Sequence, residues 1–318
     1  MMTTHLLRTV RHRLGIRSAN HHIFAPVTKA LHRETNHATT RSHSHSTHGR
    51  GDRDGIEDII KRLHPLSSGP LCDADKGHRL TASTSDDPDL RAYAGLRLMC
   101  PNTMKLRSTP TETSDNNTKK TKAMIGVART VQLTRPNDFL AVLHALTEIH
   151  SGDVLVINTN GSTRAVAGGL FSTEAARRCV SGIVVDGPIR DVEDLACPTY
   201  STLISPYAGT VQQPGEGIDV ASIMCGGVQV NPGDIIFGDG DGVLVGSAET
   251  FSTCLHEAEN IVAVEKQLTK GIKMGISLRK MTNFDEHIKK RKEGRESKLE
   301  FKDLHTIKFN DMEPVHYD

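Results

Sequence analysis

The sequence predicts an α/β fold. Between residues 126 and 185, β-branched runs alternate with helical periodicity in the order strand, helix, strand, helix, strand, which is how parallel strands joined by crossover helices read. Ile183, Val184 and Val185 stand consecutively in G-I-V-V-D-G-P-I-R-D, as in a strand covered on both faces. That strand runs directly into a polar loop ending in Arg190 and Asp191. A guanidinium clamps a carboxylate bidentately and an adjacent carboxylate offers hard oxygen to a divalent cation, so the pair suits an anionic, chelating substrate. An exposed ion pair at a loop edge is the plain alternative.

The order of elements starts late. Residues 1–50 are rich in Arg, His, Ser and Thr, and Glu34 is their only acid; they are expected to be disordered. Leu6, Leu7, Val10 and Leu14 share one helical face with Arg8, Arg11, Arg13 and Arg17 around it. This matches a mitochondrial transit peptide, and equally a basic tail with no address on a cytoplasmic protein. His43, His45 and His48 alternate with Ser and Thr, too loosely for a specific metal site.

Ile56, Ile59, Ile60 and Leu63 predict a first helix over residues 55–66, stopped by Pro65. Residues 81–89 and 108–122 read as polar loops. A strand is predicted over 126–133, a helix over 138–150, a strand over 154–157 and a helix over 172–179. Asp186-Gly187-Pro188 should end the third strand before Arg190. Short strands follow at 199–204, 218–223, 228–230, 235–237 and 243–245, with Asp239-Gly240-Asp241-Gly242 as a hairpin turn rather than a calcium loop and Asp234 as a turn residue. Phe251, Leu255, Ala258, Ile261 and Val262 mark a helix over 248–268. Lys289, Lys290, Arg291 and Lys292 form a run that reads as a solvated face. The expected organisation is a basic extension over 1–50, an α/β domain over 51–268 and a polar extension over 269–318.

Composition narrows the function classes. Lys and Arg number 39 against 38 Asp and Glu, a net charge of +1, so no global nucleic-acid footprint exists. Trp is absent and aromatics make up 4% of the chain, which disfavours a stacking platform for single strands. No apolar run approaches the roughly 20 residues that span a bilayer. Neither nucleic acid nor a membrane is an expected partner. The 6 cysteines form no CxxC pair, so neither a zinc site nor a disulfide framework is indicated.

Five phrases occur in order: G-V-A-R-T-V at Gly126, G-D-V-L-V-I at Gly152, A-V-A-G-G-L-F-S-T-E-A-A at Ala165, G-I-V-V-D-G-P-I-R-D at Gly182 and N-P-G-D-I-I-F-G-D-G-D-G-V at Asn231. Together they resemble the RraA-like family, which includes 4-hydroxy-4-methyl-2-oxoglutarate aldolases with oxaloacetate decarboxylase activity and non-catalytic regulators of ribonuclease activity. The resemblance implies a three-layer swivelling β/β/α fold and a homotrimer with sites between subunits. It makes Asp191 the ligand of a divalent cation, Mg²⁺ or Mn²⁺, and Arg190 the substrate-binding arginine. Gly168, Gly169, Leu170 and Phe171 match a backbone segment that contacts substrate, and Glu265 falls near a glutamate contributed by the neighbouring subunit. A glutamate on an amphipathic helix is also commonly just solvated.

One departure stands out. Many catalytic relatives carry an acid where this chain has Gly169, and Glu174 lies too far along the helix to replace it. Two functions follow from the resemblance. The first is a metal-dependent lyase on a small 2-oxo acid, in which loss of the C4 substituent or of carbon dioxide leaves a pyruvate enolate, with water as base because no His or Lys stands near the motifs. The second is a non-catalytic trimer acting by binding a ribonuclease or another partner. A methyltransferase would need a glycine-rich cofactor loop after the first strand, and none is present.

Overall fold

The computed structural model describes residues 51–82, 95–100, 102–108, 123–211 and 221–302. All lie in the compact unit His48–Asp318. The expectations for 1–50, including the targeting helix and the histidine tract, fall outside the described residues, as do most of the loops predicted at 81–89 and 108–122.

The elements are α1 (Gly51–Leu63), α2 (Ser68–Ala82), β1 (Arg97–Leu98), β2 (Lys105–Ser108), β3 (Met124–Gln132), α3 (Leu140–Glu148), β4 (Val154–Asn158), α4 (Gly169–Arg177), β5 (Gly182–Ile189), a 3₁₀ turn (Val192–Asp194), β6 (Thr199–Ile204), β7 (Ile223–Cys225), β8 (Val228–Val230), β9 (Ile235–Gly238), β10 (Val243–Gly246), α5 (Ala248–Lys273) and α6 (Phe284–Lys292). Eight strands form one mixed sheet in the order β1-β10-β9-β3-β4-β5-β6-β2, and β7 and β8 form a separate hairpin. Strands β3 to β6 are mutually parallel; the flanking pairs are antiparallel. The fold is therefore mixed α/β.

Side-chain alternation builds the layers. Leu155 and Ile157 of β4 and Ile183 and Val185 of β5 pack beneath Val142, Leu146 and Ala175 of α3 and α4. Val154, Val156 and Val184 point the other way, against Ile223, Cys225 and Val230 of the hairpin. At the other end of the sheet, Ile125, Phe237 and Leu244 pack under Leu63, Leu71, Phe251 and Leu255 of α1, α2 and α5. Because both faces are covered, truncating a central side chain such as Leu155 to Ala would cost about 2–5 kcal/mol. Gly126 is fixed by packing: a Cβ there would stand 2.1 Å from the Gly152 carbonyl oxygen.

The structure corrects several expectations. Strand β5 does not stop at Asp186-Gly187-Pro188 but continues to Ile189. A register shift against β6 between Val185 and Pro188 absorbs the irregularity, Gly187 takes φ +152°, and the Thr159 hydroxyl donates to the Asp186 carbonyl at 2.6 Å. The strand bulges where turn chemistry alone predicted an end. Helix α4 begins at Gly169, not near Ser172, and α5 runs past residue 268 to Lys273. Of the segment predicted over 218–223, residues 218–220 lie outside the described residues, and of the described 221–223 Ile223 enters a strand. The pattern of α2, β1, β2 and α6 went unread. Among the described residues no helix is long and apolar enough to cross a membrane.

Candidate active site

The candidate site lies at the carboxyl end of the parallel strand β5, where open α/β sheets bind ligands. Arg190 follows β5 directly, and its N–H donates to the Ala167 carbonyl at 3.2 Å. Asp191 then adopts the left-handed conformation, φ 52° and ψ 47°, which costs a non-glycine residue energy and is tolerated best by Asn and Asp. The turn throws the Asp191 carboxylate outward: its side chain is 42% exposed against 25% for Arg190, and Arg190 Nε stands 3.2 Å from Asp191 Oδ2.

Gly168 closes the other side. A Cβ at Gly168 would lie 3.0 Å from Arg190 Cγ, 3.1 Å from the Arg190 carbonyl oxygen and 3.4 Å from Asp191 Oδ2. Gly168 and Arg190, 22 positions apart in sequence, thus meet in space. Because α4 starts at Gly169, the N–H groups of Gly169, Leu170 and Phe171 belong to its first turn, where no carbonyl of the same helix can accept them. They and the helix dipole make this end attractive to an anion. Phe171 anchors the turn through an edge-on contact with Phe139, centroids 5.7 Å apart, while Leu170 is 76% exposed. Ser172 clips the site together: its buried hydroxyl donates to the Gly169 carbonyl at 2.8 Å and accepts the Ala196 N–H at 3.0 Å.

Sequence reasoning missed Asp194. A Cβ at Gly169 would stand 3.0 Å from Asp194 Cβ and 3.5 Å from Asp191 Cβ, so the side that a residue 169 side chain would fill is already taken by Asp194. A 3₁₀ turn after Asp191, in which the Asp194 N–H donates to the Asp191 carbonyl, brings the acid back. Only the three-residue spacing hinted at this. Glu174 is engaged elsewhere, by Arg177 and Arg178 at 2.6 and 2.8 Å, and hydrogen bonds from those guanidinium groups hold its carboxyl down at about 2. Glu265 is exposed on α5, which packs against α1, α2 and β10; the chain does not itself carry it to Arg190.

Among the described residues no group of three or more His, Cys, Asp or Glu is arranged to hold a metal ion. A cation here would have Asp191 as its protein ligand and draw the rest from water and substrate. A groove of about 1100 Å³ lined by Ile56, Ile60, Arg129, Gly152, Cys179 and Pro198 lies elsewhere, by the amino ends of β4 to β6. Its size does not make it the site, because it contains neither Arg190 nor Asp191.

A mixed α/β sheet presenting an Arg-Asp pair opposite a glycine-started helix defines the class. The RraA-like family, described as aldolase/RraA, matches residues 71–245, more than half of the chain, and the chain belongs to that family. An uncharacterized protein of Methanocaldococcus jannaschii is 34% identical over 169 residues, 52% of this chain and 80% of that one. A Halalkalibacterium halodurans protein named "Putative 4-hydroxy-4-methyl-2-oxoglutarate aldolase" is 42% identical over 126 residues, 38% of this chain. The match spans 59% of that relative's length, less than two thirds. Among solved structures, Streptomyces coelicolor RraAS2, described as an unusual member of the RNase ES inhibitor RraA protein family, superposes with a TM-score of 0.50 at 23% identity, over 67% of this chain and 96% of that one. An uncharacterized protein from Pseudomonas syringae pv. tomato gives a TM-score of 0.52 at 19% identity, over 70% and 96%. These two likenesses show the fold.

Proposed function

We propose that the chain is a divalent-metal-dependent carbon–carbon lyase that cleaves 4-hydroxy-4-methyl-2-oxoglutarate to pyruvate and releases carbon dioxide from oxaloacetate, on the three-layer swivelling β/β/α fold implied by its resemblance. The observation that carries this reading is the packing of Gly168 on Arg190 and Asp191, which gathers a carboxylate, a guanidinium and a helix amino end around one opening.

The donor set fits Mg²⁺ or Mn²⁺. One exposed carboxylate, Asp191, suits a hard cation that keeps its water and binds substrate oxygen, and it does not suit a caged zinc. When bound, the cation supplies Lewis-acid polarisation of the 2-oxo group. Arg190 holds the substrate by the group on C4, as a donor fork to carboxylate or hydroxyl oxygen. The first-turn N–H groups of α4 receive a second anionic oxygen. The C4 hydroxyl proton leaves to water as the C3–C4 bond breaks, since no His or Lys belongs to the two motifs.

The same reading makes the protein a homotrimer with the site closed by a neighbour. Leu170, Leu203, Ile204 and Tyr207 are exposed apolar side chains beside the site, held there by the Ala167–Ile189 bridge and by the Ser205 N–H to Ile189 carbonyl bond. Glu265 of a neighbouring copy is the residue such closure would bring in; light scattering on a sizing column reads the assembly.

Pyruvate release from oxaloacetate, with a blank for decarboxylation by free metal, tests the function. Activity should vanish with EDTA, return with Mg²⁺ or Mn²⁺, and be absent from Asp191→Ala. Full turnover by that variant sinks the lyase reading, and a folded wild-type protein with no metal-stimulated release leaves the partner-binding trimer.

A further inference from the structure

The carboxyl-terminal part of the described chain carries a surface that the proposed site does not use. Residues 272–302 hold ten Lys and Arg against five Asp and Glu, in a chain whose other residues hold 29 against 33. Within the same stretch seven large apolar side chains are exposed: Ile272, Met274, Leu278, Phe284, Ile288, Leu299 and Phe301. They make up nearly half of the sixteen such residues among those described. A merely solvated extension has no use for that many.

The stretch is also built. The Lys302 N–H donates to the Met281 carbonyl at 2.8 Å and the Asn283 N–H to the Glu300 carbonyl at 3.0 Å, so α6 and the return segment close on each other, with Thr282 bridged to Phe301. Arg279 lies over the Phe284 ring, 5.1 Å from its centroid. On α6, Phe284, Ile288, Arg291 and Lys292 fall on one stripe at helical spacing, while Glu286 and Lys290 pair on another side at 2.7 Å. Lys289, Arg291 and Lys292 make no ion pair among the described residues.

We propose that this surface, centred on the α6 stripe and the return segment from Leu299 to Phe301, binds an anionic phospholipid membrane surface. Cations flanking apolar side chains on one face are what a headgroup layer rewards, because charge meets the phosphates while the apolar groups enter the interface. Phosphates of a nucleic acid would use the lysines but leave Ile272, Leu278, Ile288 and Leu299 in water. A second copy seated on this face is the competing outcome, and it would show as an assembly that the charge-reversal variant alters without vesicles present. This departs from the reading of residues 289–292 as a solvated face and from the expectation that no membrane takes part.

The test is flotation of the full chain with phosphatidylcholine vesicles, with and without phosphatidylserine. Binding should require phosphatidylserine and weaken as salt rises. Lys289→Glu/Arg291→Glu/Lys292→Glu should lower partitioning by at least about a hundredfold, at roughly a factor of five for each cation removed from the surface. Ile288→Asp/Leu299→Asp should release what salt does not. Circular dichroism of both variants controls for folding. Retention that ignores both variants would assign binding to the basic segment 1–50 and overturn the proposal. So would retention by poly(U) RNA in place of vesicles.

Discussion

Gly168 sits flat against Asp191, so near that a single added methyl would stand 3.4 Å from the Asp191 Oδ2 and 3.0 Å from Arg190 Cγ. Its backbone is extended, φ 177°, so alanine suits it conformationally and only the neighbours object. Gly168→Ala should therefore fold normally and push Arg190 and Asp191 aside by a few tenths of an ångström. A misplacement of about 1 Å at reacting groups costs on the order of a hundredfold in rate, and a few tenths of an ångström correspondingly less. About a tenfold fall in pyruvate release, with thermal stability changed by less than about 1 kcal/mol, is the expected result.

Asp191 itself stores strain. At φ 52° any L side chain pays for the left-handed region, and glycine does not. Asp191→Gly and Asp191→Ala both remove the carboxylate and should both be inactive. They should differ in stability by about 1 kcal/mol in favour of glycine. Denaturant titration measures the difference, and equal stabilities would mean that the left-handed turn is not populated in solution.

The cysteines give a chemical check on burial. Cys179 is exposed, Cys72 and Cys100 are intermediate, and Cys197, Cys225 and Cys254 are buried. Burial pushes the thiols of Cys197 and Cys254 up from 9.0 to about 11. Alkylation of the native protein at pH 8, mapped by mass spectrometry, should label Cys179 first and leave the buried three untouched until unfolding. The same shifts set a pH dependence. The folded values exceed the unfolded one, so the unfolded chain loses these protons first, and stability should fall as pH rises from about 9 toward 11.

How much of this was legible follows from the kind of signal each part leaves. The alternation of strand and helix from β3 to β6 was readable because residues 154–157 and 183–185 are buried on both faces and must be apolar. Arg190, Asp191 and Gly168 were readable as motifs. Their contact was not, because the turn at Asp191 and the start of α4 are set by packing. The end predicted for β5 failed for a related reason: Asp186 spends its carboxylate on the Gly226 N–H at 2.8 Å, a partner forty residues away, and that tertiary bond outweighs local turn chemistry. Helix α2 went unread because few of its residues are apolar and its amino end is capped from outside the helix. Asp194 escaped because acids in loops are ordinary.

That outside cap yields the last prediction. The Ser68 N–H at the start of α2 donates to Asp239 Oδ2 at 2.8 Å, and the Ser68 hydroxyl to Oδ1 at 2.9 Å. The Asp241 N–H also donates to Oδ1, at 3.0 Å, while the Tyr200 hydroxyl donates to the Asp239 main-chain carbonyl at 2.8 Å. Asp239 thus joins α2, the β9–β10 turn and β6, where the sequence offered only a turn residue. Asp239→Ala removes an ionised acceptor from three donors and should destabilise by about 2–3 kcal/mol. Tyr200→Phe loses one neutral bond and should cost about 1 kcal/mol. Because the tyrosine bonds the main chain, which the alanine substitution leaves in place, the two effects should add to within about 0.5 kcal/mol in the double variant. A larger coupling, measured by urea denaturation, would mean that loss of the carboxylate lets the whole turn move and takes the Tyr200 acceptor with it.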